Sequence, residues 1–534
     1  MGIRKALLPL IPIPLLNIYY KIKRFLIFRK QIFGKTGNNY VTREEIQLNE
    51  LLLNNQVDSI KIIRYLDWEN PFNVSEYGKY QYQEKEFKII NEKKVIVEFN
   101  NYGSWTVEIY YLRKGRTIAK EVKTINIEAP EYNIAYLSAT LPVVFFLFNM
   151  WKISNKNCPT IVSLERNLFD YYNLPKNVYP FPYANKNELN TPYKGFNVCF
   201  QRLVYYIGSL YRMNRNAKFN LYLCDHFAYL VLSLLYANGI PEENFHVYLL
   251  SDGVGSYECF NYVFKNEKAI EIYEKMKNTW EISKKLAYKT GVQKRKKEIF
   301  LRCGSPCMSE TIDSRNETIK FSYGFSFAYV LAIENANIEW ILHDPRLLKG
   351  NEKVLSLLDE NRIRRFDFID SIKILEDHKD ELIKLLNIDY SVFAESTLIK
   401  KQICILLGTD LFSSDFEKYI DSTINHFGIN FDYYLKEHPR YPINLQRSQR
   451  LADKGVKILN PKIPTEFYMM IDSNICLAGY LSSVFLSKGL LRNPEEQILS
   501  IWDVENREIK TNCLDFTAKT AMYIKDNSVV VNER

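Results

Sequence analysis

Two stretches of the chain, 218–257 and 402–502, alternate short apolar runs with helix-like segments, and the apolar runs end in polar turns bearing Gly, Ser, Asp or His. That alternation suits parallel strands joined by crossover helices, because a strand buried on both faces reads as a continuous apolar run. In the first stretch, Phe219 to Cys224 is expected to be a strand and Ala228 to Ala237 a helix closed by Asn238-Gly239. Phe245 to Leu250 is the next strand. In the second stretch, strands are expected at Ile403 to Leu407, Phe431 to Leu435, Val456 to Leu459, Asn474 to Ala478 and Ile498 to Trp502. Helices are expected at Phe416 to His426 and Pro464 to Ile471. The fold class is therefore α/β, with two Rossmann-like, doubly wound domains facing across a cleft.

The 534 residues are enough for two to four domains at roughly 100–200 residues each. Residues 37–320 are expected to form the first Rossmann-like domain and 321–505 the second. Residues 506–534, with a helix at Asp515 to Lys525, would close the chain and return to the first domain. Within the first domain, Thr42 to Ile63 reads as a helix opened by a capping box of Thr42 and Glu45. Val95 to Phe99 reads as a buried strand that opens a Rossmann-like unit through the turn Asn100-Asn101-Tyr102-Gly103-Ser104. Apolar runs follow at Asn133 to Tyr136, Pro142 to Phe148 and Thr160 to Leu164.

Residues 1–36 mix Arg4, Lys5, Lys21, Lys23, Arg24, Arg29 and Lys30 with large apolar side chains. The apolar run from Ala6 to Ile18 is broken by Pro9, Pro12 and Pro14 and falls short of the roughly 20 residues a spanning helix needs. Such a segment suits the headgroup region of an anionic membrane surface; its plainer alternative is a terminal helix packed on its own domain. The net charge of +9 is compatible with an anionic membrane, donor or polymer and does not choose among them. The run Lys284 to Lys297 reads as a solvated helix face or as an anion-binding surface. Nine cysteines without paired spacing, Cys303 and Cys307 included, read as free thiols of a reducing compartment. No metal-ligand set is legible.

Three clusters at strand ends could carry chemistry. Ser251-Asp252-Gly253 places a carboxylate where a ligand's hydroxyl could lose its proton. Lys436-Glu437-His438-Pro439-Arg440 sets an imidazole, able to donate a proton near neutral pH, between two cations that suit a phosphate. Gly479-Tyr480-Leu481-Ser482-Ser483 offers two hydroxyls at a helix start, a phosphate-binding corner. Each has a plainer reading: a turn aspartate, a solvated loop histidine, a serine N-cap. His246, His343, His378 and His426 read as structural, and Asp225-His226 follows a strand and so has a place at the cleft as one reading, with a core or surface role as the leading one.

Taken in order, Ser251-Asp252-Gly253, His438-Pro439 and Ser482-Ser483 resemble the acidic-acidic-Gly, His-Pro and Ser-Ser motifs of the bacterial sialyltransferases that build lipooligosaccharide caps and polysialic acid capsules. The resemblance covers about 215–260 and 400–490 and implies a GT-B fold and an inverting transfer of sialic acid from CMP-sialic acid to a glycan hydroxyl, with no cofactor or metal required. It assigns Asp252 as general base and His438 as the group serving the departing phosphate. Ser482 and Ser483 match the phosphate ligands, and Gly408 and Glu466 lie where that family holds the nucleotide. Ser251 departs from the pattern by standing at the first acidic position. The implied partners are the CMP-sugar donor, a glycan acceptor and a membrane surface at the inner face of the cytoplasmic membrane, without nucleic acid. The competing readings are a CMP-Kdo or other nonulosonic acid transferase and, from another class, a non-catalytic basic protein binding membranes or polyanions.

Overall fold

The computed structural model describes residues 41–53, 57–67, 79–88, 93–164, 173–181, 196–294, 317–389, 391–399, 401–408, 413–437, 443–461, 463–471, 475–479, 484–485, 487, 499–503, 508–512, 519–524 and 527–532. They belong to two compact units: Met1–Pro130 with Tyr179–Ala217, and Glu131–Val178 with Lys218–Arg534.

The first unit is antiparallel. Its strands are β1 (Thr42–Gln47), β2 (Ser59–Asp67), β3 (Lys79–Lys88), β4 (Lys94–Phe99), β5 (Gly103–Arg113) and β6 (Arg116–Ile127). β1 pairs with β4, and the other four form a sheet in the order β3-β2-β5-β6. The helix expected over Thr42 to Ile63 is therefore corrected to two strands around a single short helix, Glu50–Leu53. The deciding signal has period two. Along β4, Val95, Val97 and Phe99 are buried while Ile96 between them is 60% exposed. Ile46 of β1 lies opposite Val95, so pairing overrides the local capping pattern at Thr42. The Rossmann-like unit expected after Phe99 is corrected as well, because β5 turns back as the centre of an antiparallel sheet. Its core holds Trp105, Val107, Ile109 and Tyr111, with Trp105 edge-on to Phe99 at 5.3 Å.

The second unit contains two parallel sheets. The front sheet comprises β7 (Glu131–Leu137), β8 (Thr160–Leu164), β9 (Val178–Pro180), β10 (Lys218–Cys224), β11 (Phe245–Leu250), β12 (Ile338–Leu342) and β13 (Ile363–Arg365). Their order is β13-β12-β11-β10-β7-β8-β9. Build-up starts at β7, runs one way through β8 and β9, then resumes at β10 on the other side. The reversal between β7 and β10 is a topological switch point, the crevice at which open α/β sheets bind ligands. The front sheet thus starts near residue 131 and runs past the expected boundary at 320, because β12 and β13 pair onto β11.

The back sheet comprises β14 (Gln402–Leu407), β15 (Phe431–Lys436), β16 (Val456–Leu459), β17 (Cys476–Gly479), β18 (Leu499–Asp503) and β19 (Glu508–Asn512). It repeats the same logic in the order β16-β15-β14-β17-β18-β19, with only β19 antiparallel to its neighbour. Its switch point lies between β14 and β17. The strands expected here and at 219–224 and 245–250 all form. The C-terminal helix does not: β20 (Lys519–Ile524) and β21 (Asn527–Asn532) make a hairpin. Val529, Val530 and Val531 favour a strand, and β20 pairs with it antiparallel.

Helix α1 (Thr140–Ile153) fills the space between the sheets. Nine of its residues from Leu141 to Met150 are buried, far more than one face of a helix, as expected for an element covered on both sides. Phe145 stacks on Phe366 at 4.4 Å, and Phe148 meets Phe467 of the back lobe at 5.9 Å. One apolar cluster joins Leu137, Cys224, Leu250 and Ile341, at the C-terminal ends of the front strands, to Leu407, Leu459, Phe467 and Leu477 of the back lobe.

Gly479, the last residue of β17, has a steric requirement. A Cβ there would lie 2.7 Å from the Leu407 Cβ on the neighbouring strand. Gly479→Ala is expected to destabilise the back lobe by about 1–3 kcal/mol by forcing β14 and β17 apart. Urea unfolding of the variant checks this, and an unchanged midpoint would show that the strands tolerate the methyl group.

Candidate active site at the strand ends

The front-lobe site is built where β10, β11 and β12 end side by side. β10 and β11 run in register, pairing Leu223 with Leu249 and Cys224 with Leu250, so the next residues of each strand, Asp225 and Ser251, emerge at one level. Asp252 is half-buried and Gly253 buried. Gly253 has φ 84° and ψ −134°, backbone that an L side chain rarely adopts. This turn delivers the chain into helix α2 (Val254–Phe264) with Gly253 as its N-cap.

Hydroxyl groups hold the turn. Ser251 Oγ accepts from Gly253 N at 3.0 Å and donates to Ser256 Oγ at 3.0 Å. Ser256 Oγ also accepts from Asp252 N at 3.1 Å and donates to Asp225 Oδ2 at 2.5 Å. Trp340 Nε1, from β12, donates to the same Asp225 oxygen at 3.0 Å. Asp225 is completely buried, and its Oδ1 meets no hydrogen-bond partner among the described residues. Burial pushes its carboxyl up to about 8, and the charge of Asp252 pushes the same way. Asp225 therefore carries its proton at neutral pH, beside the half-buried Asp252.

At the front switch point, Ser138 follows β7 and His226 follows β10. Ser138 Oγ lies 3.2 Å from His226 Nε2, and Ser138 N donates to Cys224 Sγ at 3.2 Å. The position of Asp225-His226 after a strand was the signal that marked these residues in the sequence. Register with Ser251 and the reach of Trp340 were not visible there.

The back-lobe part starts at Gly408, whose N donates to Lys436 O at 2.7 Å and so ties the ends of β14 and β15 together. Lys436, expected as a phosphate ligand, is instead turned into the lobe. Its Nζ donates to Pro461 O at 2.9 Å and Glu437 O at 3.2 Å. Burial lowers it to about 8, opposed by the nearby Glu466 and Glu437 carboxylates. Glu466 stands at the start of helix α3 (Thr465–Ile471), fully buried, with its carboxyl raised by that burial. Ser487 Oγ donates to Glu466 Oε1 at 3.3 Å and lies 3.1 Å from His343 Nε2. His343 follows β12, so this chain of contacts links the strand ends of the two lobes. Burial drives the His343 imidazole down to about 3, which keeps it neutral. The sequence-assigned His438, Pro439, Arg440, Ser482 and Ser483 lie outside the described residues, as does the segment 1–36.

The other histidines are structural where they are described. His246 pairs with Glu339 across β11 and β12 at 2.8 Å, and His378 stacks on Trp151 at 5.2 Å. The basic run lies on the helix Ala269–Lys294, where Lys284 pairs with Glu281 at 3.0 Å; residues 295–297 lie outside the description. Cys158, Cys224, Cys259, Cys404 and Cys476 are buried free thiols.

Compared with known proteins, residues 197–498 match the family model for alpha-2,8-polysialyltransferase (POLYST). Among solved structures, the chain is similar to a 2,6-sialyltransferase from a Vibrionaceae Photobacterium species in a ternary complex with CMP and lactose, at 14% identity, 86% coverage of both chains and a TM-score of 0.47. It is also similar to the GT-B domain of a sialyltransferase from Photobacterium damselae, at 12% identity, covering 69% of this chain and 89% of that one, with a TM-score of 0.46. No curated protein matches the sequence.

Proposed function

This chain belongs to the alpha-2,8-polysialyltransferase family, and from that premise we propose that it is a GT-B glycosyltransferase moving sialic acid from a CMP-activated donor to a hydroxyl of a cell-surface glycan. The observation that carries the reading is the extent of the family match. It runs over residues 197–498, from ahead of β10 to past β17, and contains all three strand-end clusters.

In this reading the acceptor hydroxyl attacks the anomeric carbon of the sialyl group while its proton passes to the Asp252 carboxylate. The bond to CMP breaks as the new bond forms, and the configuration inverts. His438 donates a proton or hydrogen bond to the departing phosphate, and Ser482 and Ser483 hold that phosphate through their hydroxyls. Glu466 and Gly408 form the nucleotide side. Asp252 suits its role by location: it lies in a glycine-turned loop at a carboxyl end of the front sheet, where such folds bind ligands. A sialyl-terminated acceptor is the class that family membership favours.

The test is incubation with CMP-sialic acid or CMP-Kdo, each with galactosyl- and sialyl-terminated acceptors, scoring acceptor-dependent CMP release. Release with CMP-sialic acid alone is the expected result. Release with CMP-Kdo alone would move the donor class, and release with neither would end the reading.

We further propose that residues 1–36 hold the enzyme at an anionic, cytoplasmic membrane surface. The segment carries eight Lys and Arg side chains among its apolar ones, each worth about 1 kcal/mol near such a surface. Full-length protein is expected to sediment with phosphatidylserine vesicles, more weakly as salt rises, and a chain starting at residue 37 is expected to stay in the supernatant. Equal sedimentation of both would show that the anchor lies elsewhere.

A further inference from the structure

We propose that Asp225 is a positioning residue of the transfer reaction, acting through Ser256 to set the turn that presents Asp252. The proposal rests on the transferase reading above. Its basis is geometric. Ser256 Oγ accepts hydrogen bonds from the Asp252 N–H and the Ser251 hydroxyl, and its own hydroxyl donates one to Asp225 Oδ2. Trp340 Nε1 meets the same oxygen from the next strand. One carboxyl oxygen therefore gathers the ends of β10, β11 and β12 around the loop bearing the base.

Two features argue against a purely architectural role. First, a buried carboxyl with one oxygen that meets no partner among the described residues is a costly way to close a core. A satisfied amide or an apolar side chain would hold the same space with less penalty. Second, Ser251 stands where the related motif carries its first acidic residue. Here the acidic group comes instead from the neighbouring strand, in register with Ser251, and reaches the loop through hydroxyls. A second carboxyl thus stands near Asp252, supplied from the end of β10 rather than of β11. It is held off the reacting atoms because it is fully buried.

The experiment compares Asp225→Ala, Asp225→Asn, Ser256→Ala and Asp252→Ala with wild type, measuring kcat and donor KM by CMP release and folding by thermal melts. Asp225→Ala is expected to lower kcat by about 10²-fold with little change in donor KM, the cost of a base displaced by an ångström or so. Asp225→Asn keeps a carbonyl oxygen for Ser256 and Trp340, so it is expected to restore kcat to within a few-fold. A lost core contact alone would not produce that rescue together with a kcat-only defect. If Asp225→Ala does not fold, Ser256→Ala carries the test, and a wild-type kcat there overturns the proposal. So does a wild-type kcat in folded Asp225→Ala, or a defect in Asp225→Asn as deep as in Asp225→Ala. The Asp252→Ala arm separates the two levels. If it retains activity, the assignment of the base has failed; if it is inactive while the Asp225 and Ser256 variants are normal, only the positioning role has failed.

Discussion

Asp252→Ala is expected to lower kcat for sialyl transfer by about 10²–10⁴-fold without loss of fold, the range for removing a positioned general base. The size of the effect follows from which partner is poor. CMP departs readily once its phosphate charge is met, whereas an acceptor hydroxyl is a weak nucleophile until its proton is taken. Retention of fold follows from the hydrogen bonds. The contact anchoring this turn to Ser256 comes from the Asp252 backbone N–H, which alanine keeps. The glycine conformation at Gly253 and the Ser251 bond to its N–H are also untouched. The check is kcat at saturating donor and acceptor, with circular dichroism as control. A rate within a few-fold of wild type would place the base on another group.

The second large effect is on stability. Asp225→Asn is expected to be more stable than wild type at neutral and alkaline pH, with the gap closing in acid. The sign follows from linkage. In the unfolded chain an aspartate ionises near 3.8, whereas in the folded chain burial holds this one to about 8. Between those values the unfolded state gives up a proton that the folded state keeps, so wild-type stability falls as pH rises. Below about pH 4 both states are protonated and the penalty is absent. Asparagine does not titrate, so its advantage grows from about pH 4 to about pH 8 and then levels off, on the order of several kcal/mol. Tyr257 and Asp252 face the same carboxyl from α2 and the β11 turn, and repulsion from Asp252 adds to the burial effect. Paired melts at about pH 4 and about pH 9 measure it. Equal melting curves at the higher pH would mean that the carboxyl is solvated or paired when ionised. The loss of stability that Asp225 brings is the sort tolerated at a working site.

The elements that could be read from residues alone share one property: their signal is local. β10, β11, β14, β15, β16 and β17 are short, mostly apolar runs, broken only by single residues such as Asn220, His246, Asp432 and Lys457, and the Asp252 cluster follows from its place at the end of such a run. At Thr42 a capping pattern competes with period-two alternation, and pairing of β1 with β4 decides for the strand. The C-terminal segment was open to a helical reading until β20 found β21. The front sheet crosses the expected boundary at 320 because β12 returns to pair with β11.

What the residues determined by themselves was the kind of machine: two sets of buried parallel strands, with reactive side chains at their ends. Hydrophobic periodicity encodes this, since each strand and helix writes its own burial pattern. What only the tertiary structure decided was company. Asp225 lies 27 residues before Asp252 in the chain, yet in-register pairing of β10 with β11 brings it to Ser256 at 2.5 Å. Lys436, a plausible phosphate ligand in one dimension, is turned onto the Pro461 carbonyl instead. His343, with no visible partner, reaches Ser487 and through it Glu466. Such pairings depend on strand order and register, which are set by how whole sheets assemble and leave no trace in the spacing of the residues they join.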